Sequence, residues 1–250
     1  MRDVLVGLIV FACLVAASLG SRALYERIPE RHRAAETESV VRLFASFFVV
    51  MTSLVIGLML NQARNTLEST DKSVHAYAVQ LILFDRALRQ YGVEETTGAR
   101  RALLAYTQQA ARRMGQSDPA ISSATAESML RDTLEAVRKL QPADDARADL
   151  KTELERRFSH IYEMRWSLVE QSEGTVPTAL MVMVTLWLML IFASYGFRAP
   201  NNVFVVASFL VSSLLIAGAI YLILDMDVPF DGLIQVSPAP LERVVAELSR

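Results

Sequence analysis

Four long, uncharged apolar stretches limit what this chain can fold into more than anything else in its sequence. They are residues 4–20 (VLVGLIVFACLVAASLG), 43–60 (LFASFFVVMTSLVIGLML), 176–197 (VPTALMVMVTLWLMLIFASYGF) and 203–224 (VFVVASFLVSSLLIAGAIYLIL). As helices, at about 1.5 Å per residue, the last two reach roughly 33 Å, enough to cross the hydrocarbon core of a bilayer. The first two reach that length with their flanking residues. The chain is 52% hydrophobic yet 21% charged, so its apolar residues are segregated into blocks, the pattern of a membrane protein with a water-facing part. Residues 4–20 exceed the apolar region of a usual cleaved signal, and only Met1–Asp3, with one Arg, precede them. That run is therefore expected to be a retained anchor.

None of the four runs holds Asp, Glu, Lys, Arg or His. Proton relays and ion-coupled transporters need ionisable groups at membrane depth, so the sequence argues against a secondary transporter. Polarity in the runs is confined to side chains such as Thr52, Ser53, Thr185, Ser208, Ser212 and Ser213. Ala16/Gly20, Ser208/Ser212 and Ser213/Ala217 are small pairs at four-residue spacing, which predicts close helix packing. Residues 198–202 (RAPNN) read as a tight turn. The organisation that follows is a first membrane hairpin over residues 1–60, an insert over 61–175, a second hairpin over 176–224 and a C-terminal segment over 225–250.

The insert reads as helical. Leu60, Leu67, Val74, Leu81 and Leu88 recur every seven residues, and Tyr77, Phe84 and Tyr91 form a second series three residues later. This is an a/d stripe, and no Pro or Gly interrupts it, so the second span is expected to continue as one long helix ending at Gly92. Further helices are expected over residues 97–114, 125–140 and 144–172, with breaks at 115–120 and at Gln141-Pro142. No strand pattern occurs. The fold class is therefore all-α: an integral membrane protein with four transmembrane helices and a helical-bundle insert between the second and third.

The segment after the last run, LDMDVPFDGLIQVSPAP, carries Asp225, Asp227 and Asp231. Three carboxylates near one another make a candidate Ca²⁺ ligand set, since that ion takes six to eight oxygens. The simpler reading is structural: acids mark the aqueous end of the span, Pro229 breaks the helix, Gly232 turns the chain, and Asp227 or Asp231 pairs with an Arg of the insert. Ser237-Pro238 then starts a short amphipathic helix with Leu241, Val244, Val245 and Leu248 on its apolar face.

Composition and motifs narrow the function classes. A net charge of −2 supplies no argument for nucleic acid. The single cysteine, Cys13, lies in an apolar run and cannot form a disulfide or thiolate-metal framework within the chain. No P-loop, G-x-G-x-x-G, G-x-S-x-G, H-E-x-x-H or paired C-x-x-C occurs. His75 and His160 are isolated in the sequence and stand as surface residues or as a pair across the bundle. Neither enzymatic activity nor a cofactor is expected. The first inter-span loop carries Arg22, Arg27, Arg31, Arg33 and Arg42, while Arg2, Arg64, Lys72, Arg156, Arg157, Arg165 and Arg243 lie near span ends on the other side. The positive-inside rule therefore nearly cancels.

Two stretches carry a resemblance. FDRALRQYG at residues 84–92 is followed by ARRALLAY at 99–106, and WLMLIFASYGFRAPNN at 187–202 is followed by GAIYLILDMDVPFDGLIQVSPAPL at 218–241. These resemble a family of four-span membrane proteins described as bestrophin-like, in which a Trp, a Phe-Gly step, Pro-Asn and an acid–Pro–Phe–Gly segment follow in that order. Phe84 stands where the family usually has Leu, Tyr195 where it has Phe, and Val228 where it often has Arg. The structural motif carried over is Pro229, Phe230 and Gly232.

More widely, the chain is similar to bestrophins, pentameric anion channels with four spans. That resemblance implies a homo-oligomer in the lipid bilayer of the cell membrane, with termini and insert cytoplasmic. It implies a pore lined by the second span, with Phe44, Phe47, Phe48 and Met51 at the constriction. It also implies an anion as the transported species. In bestrophins an acidic run after this segment binds calcium; here residues 232–241 hold no acid, so the calcium site is not carried over. The alternative function is a membrane-anchored sensor or scaffold whose insert binds a protein partner or small ligand.

Overall fold

The computed structural model describes residues 2–25, 35–114, 124–172, 174, 176–197, 199–200 and 202–250. Its helices are α1 (Arg2–Tyr25), α2 (Ala35–Tyr91), α3 (Thr97–Arg113), α4 (Ala124–Arg138), α5 (Asp145–Glu170), α6 (Thr178–Gly196), α7 (Val203–Asp227) and α8 (Ala239–Leu248). No strand occurs among the described residues. The chain forms two compact units, Met1–Arg64 with Thr175–Asp227, and Asn65–Gly174 with Val228–Arg250. Arg27, Arg31, Arg33, the break at 115–120, and Arg198 and Asn201 of the expected turn lie outside the described residues.

The first unit holds the four membrane-spanning helices, each long and apolar enough to cross a bilayer. Helix α1 packs against both α6 and α7. Val10 and Leu14 of α1 meet Met59 of α2, Val184, Leu188 and Phe192 of α6, and Ala217, Ile220 and Ile223 of α7 in one core. Outside that core, Leu8, Leu186, Leu190, Leu214 and Leu215 are exposed. An apolar surface of this extent on helices whose backbone bonds are satisfied internally belongs in hydrocarbon.

The small residues that set the closest approaches are not all those the spacing singled out. Ser213 and Ala217 are buried, but Ala16, Gly20, Ser208 and Ser212 are exposed in the single chain. Gly196 is the tightest point: a Cβ there would run into the Ser18 carbonyl and the Ser21 hydroxyl of α1. Gly7 lies against the Tyr221 Cβ, with 3.3 Å available to a methyl group. Spacing along one helix identifies a small face, but a crossing point depends on where two helices meet.

The second unit is a helical bundle around a single core. Val74, Tyr77, Leu81, Phe84, Leu88 and Tyr91 of α2 are buried with Leu103 and Tyr106 of α3, Leu130 and Val137 of α4, and Leu154, Phe158 and Ile161 of α5. The Phe84 and Phe158 rings lie 5.9 Å apart. The heptad stripe thus faces this core from Leu67 onward, whereas Leu60, its expected first member, is 47% exposed and lies in the membrane unit. Period alone does not separate a bundle face from a lipid face, because both are apolar.

Helix ends follow local chemistry. Asp144 caps α5 by accepting the Arg147 backbone N–H at 2.8 Å. Gly92 ends α2 at φ 157, and a Cβ there would fall on the Glu95 carboxylate. Pro238 takes the N-cap of α8, so that helix starts one residue later than Ser237-Pro238 suggested; the Ser237 hydroxyl accepts the Ala239 N–H at 3.3 Å. His75 and His160 are both exposed, each beside an acid of its own helix, Asp71 at 3.8 Å and Glu163 at 3.9 Å.

Candidate functional site

Helix α2 carries an outward apolar face. Leu43, Phe44, Phe47, Val50, Leu54 and Leu58 are all exposed, Phe44 by 59% and Phe47 by 58%. They recur at three- and four-residue steps, so they share one side of the helix. The other two constriction candidates sit deeper. Phe48 is half-buried and its ring lies 6.3 Å from that of Trp187 on α6; Met51 is also half-buried. The Phe47 and Phe48 rings stand edge to face, 6.2 Å apart, so Phe48 steadies the side chain that points outward. Apart from hydroxyls that bond back onto their own helix, such as Ser53 to the Val49 carbonyl at 2.8 Å, this face is apolar. It has no charge with which to hold an ion.

The three acids after the apolar run are not gathered into one site. Asp225 and Asp227 fall within the last turn of α7, and both are buried. The Tyr221 hydroxyl donates to Asp225 Oδ1 at 3.0 Å, one helical turn back. Asp227 Oδ2 accepts the Val176 backbone N–H at 2.9 Å. Asp231 is half-exposed and its Oδ1 accepts the Gly232 N–H at 3.0 Å. Among the described residues no group of three or more His, Cys, Asp or Glu side chains comes together to hold a metal ion.

Pro229, Phe230 and Gly232 build the turn that follows. The Pro229 carbonyl accepts the Val236 N–H at 2.9 Å, closing the loop, and Gly232 adopts φ 103, where L side chains are strained. Phe230 and Val236 enter the bundle core beside Leu241, Val244 and Leu248 of α8. The motif is therefore an anchor for the C-terminal helix.

One buried cluster falls within two of the stretches that carry the resemblance, in residues to which no role was assigned there. Asp85 is 2% exposed and accepts Arg89 Nε on Oδ2 and Arg100 Nε on Oδ1, both at 2.7 Å. The same guanidinium groups donate onward from Nη2 to the Glu247 and Leu248 carbonyls, each at 3.3 Å. Those carbonyls end α8, where partial negative charge collects and cations are favoured. The FDRALRQYG and ARRALLAY stretches thus supply an acid and two arginines that tie α2, α3 and α8 together. Arg89 at i+4 from Asp85 was the visible half; Arg100 comes from the next helix. The bundle also has a cavity of about 290 Å³ between α4 and α5, lined in part by Glu127, Arg131, Phe158, Tyr162 and Glu163.

Comparison with known proteins bears on this architecture. Residues 12–241 match the bestrophin-like domain. No curated protein matches the chain. Among solved structures, a variant of a bacterial bestrophin homologue from Klebsiella pneumoniae superposes with a TM-score of 0.64 at 14% identity over 97% of each chain. Another structure of a bestrophin homologue from that organism superposes with a TM-score of 0.61 at 15% identity over 96% of each chain. A membrane-protein variant superposes at 0.60 with 16% identity over 97% of each chain. At such identities the likeness establishes the fold alone.

Proposed function

The chain belongs to the bestrophin-like family, and from that premise we propose that it forms a closed homo-oligomer in which α2 helices surround an anion pathway. The supporting observation is the outward face of α2, where Phe44 and Phe47 stand more than half exposed on a single chain. Around a central axis those rings make an apolar constriction that conducts when it wets and closes when it dries. No ionisable side chain lies in the four apolar runs, which suits passive conduction better than ion-coupled transport. The termini and the bundle are assigned to the cytoplasm. The reading assigns no enzymatic activity.

Two measurements test this. The mass of the detergent-purified protein, with detergent separated by light scattering, should correspond to a ring of about five subunits, as the similarity to bestrophins suggests. Chloride efflux from liposomes should then rise when Phe47 is changed to Ala. A monomer or dimer, or flux indifferent to Phe44 and Phe47, sinks the proposal. The second reading, a sensor whose bundle binds a small ligand or partner, is favoured by the cavity between α4 and α5, which approaches the size of small-molecule sites. It predicts ligand or partner capture that Tyr162→Ala abolishes.

A further inference from the structure

The bundle core encloses a charge that nothing in it balances. Arg165 of α5 is 1% exposed, and its Nε and Nη1 have no hydrogen-bond partner. Among the described residues no carboxylate pairs with it. Its neighbours are aromatic. The guanidinium carbon lies 5.4 Å from the centre of the Trp166 ring. The guanidinium is also close enough to the Tyr106 hydroxyl to act on it. That hydroxyl is 2.7 Å from the Tyr77 hydroxyl, and both tyrosines are fully buried.

An unpaired buried guanidinium is among the costliest groups a core can hold. A ring face offsets part of the charge but leaves these N–H bonds without an acceptor. The tyrosines do not supply a counter-ion: burial, the largest influence on Tyr106, pushes its pKa up and keeps it protonated, although Arg165 pulls the other way. Of the two hydroxyl protons, one lies between the oxygens and the other is free to donate. The cluster is thus a positive charge with three free N–H bonds, on Nε and Nη1, and a further O–H donor. A water molecule would leave the charge unbalanced, whereas one small anion balances it and accepts from several of these donors.

We propose that Arg165 and the Tyr77–Tyr106 pair form an interior site for one monovalent anion of halide size, between α2, α3 and α5. Because Nε and Nη1 are closed to solvent, the ion enters only as these helices part, and its binding favours the packed bundle. The inference goes beyond conduction and holds whether or not α2 lines a pore.

The test uses the full-length protein in detergent, freed of halide by exchange into gluconate, an anion too large for the site. Thermal unfolding is followed as bromide replaces gluconate at constant ionic strength. The expected result is a saturable rise in midpoint that Arg165→Met abolishes and that Tyr106→Phe shifts to about tenfold higher bromide, the equivalent of one hydrogen bond. An anomalous bromide peak beside Arg165 in crystals of the unmodified protein should accompany it. A bromide response equal in Arg165→Met and the unmodified protein, or no saturable response, overturns the proposal. If Arg165→Met does not fold, the bromide peak decides: its presence upholds the site and its absence overturns it.

Discussion

Asp227 Oδ2 accepts the backbone N–H of Val176 at 2.9 Å, so the last residue of α7 is bonded to the chain just before α6 begins. An acid at a helix C-terminus opposes the helix dipole, and here a backbone donor answers it. Asp227→Ala should lower stability by about 1–3 kcal/mol, the range for a buried donor left without its acceptor. Asp227→Asn, which keeps an acceptor oxygen, should lose less. Thermal unfolding of both variants in the same detergent checks this, and equal losses would rule out the hydrogen bond as the cause.

Asp85 is a hub for α8. Changing it to Ala leaves the Arg89 and Arg100 guanidinium groups without their shared acid beside the end of that helix. Breaking a buried pair typically costs about 3–5 kcal/mol, and the partly exposed arginines place this case near the lower end. Hydrogen exchange at residues 239–248 should rise before that of the remaining bundle. Uniform acceleration across the bundle would argue instead for a general role of Asp85 in the core.

At Gly196 the constraint is steric. Gly196→Leu drives a side chain into the Ser18 carbonyl and the Ser21 hydroxyl, and Gly196→Ala does so with a single methyl. Overpacking of this kind typically costs about 1–3 kcal/mol. The loss in unfolding temperature should grow from Ala to Leu. The matching changes at Gly57, where a Cβ meets nothing within 4 Å, should have little effect.

The Glu95–Arg147 pair makes stability depend on acid. The Glu95 carboxyl is held below its usual range, first by its own backbone N–H and then by Arg147, whose Nη1 lies 2.8 Å away. A depressed folded pKa gives a contribution that is present at neutral pH and lost as pH falls through the folded value, which lies below the usual carboxylate pKa of about 4.3. Glu95→Gln should therefore be less stable than the unmodified protein at pH 7, and the difference should close as pH falls through the lowered folded pKa. A gap that persists in acid would assign the effect to packing.

The long helices were legible because their signals are local. The stripe from Leu67 to Tyr91 faces the bundle core as its seven-residue period required, and the Gly92 stop stands where the residue type placed it. The apolar face of α8 was equally visible, but its seat was not. Val244 and Leu248 pack in a core built by helices far earlier in the chain. Asp85 and Arg89 stand four residues apart, a spacing common on solvated helix faces, and Asp85 is buried where Arg100 and the end of α8 approach it. For the expected constriction, the resemblance to bestrophins marked Phe44, Phe47, Phe48 and Met51 alike; within one chain Phe48 lies against Trp187 while Phe47 stands outward.

The sequence by itself determined an all-α membrane protein with four spans and a charged helical insert. Length, hydropathy and period are properties of neighbouring residues, and bilayer thickness and helix pitch convert them directly into architecture. Only the tertiary structure decided which polar residues lie inside it: Asp85 paired, Asp227 capped by a backbone donor, and Arg165 enclosed with its Nε and Nη1 unpaired. Burial is set by segments that meet in space after long separation in the chain, and the energy of a charge depends on that burial and on the partner it meets there.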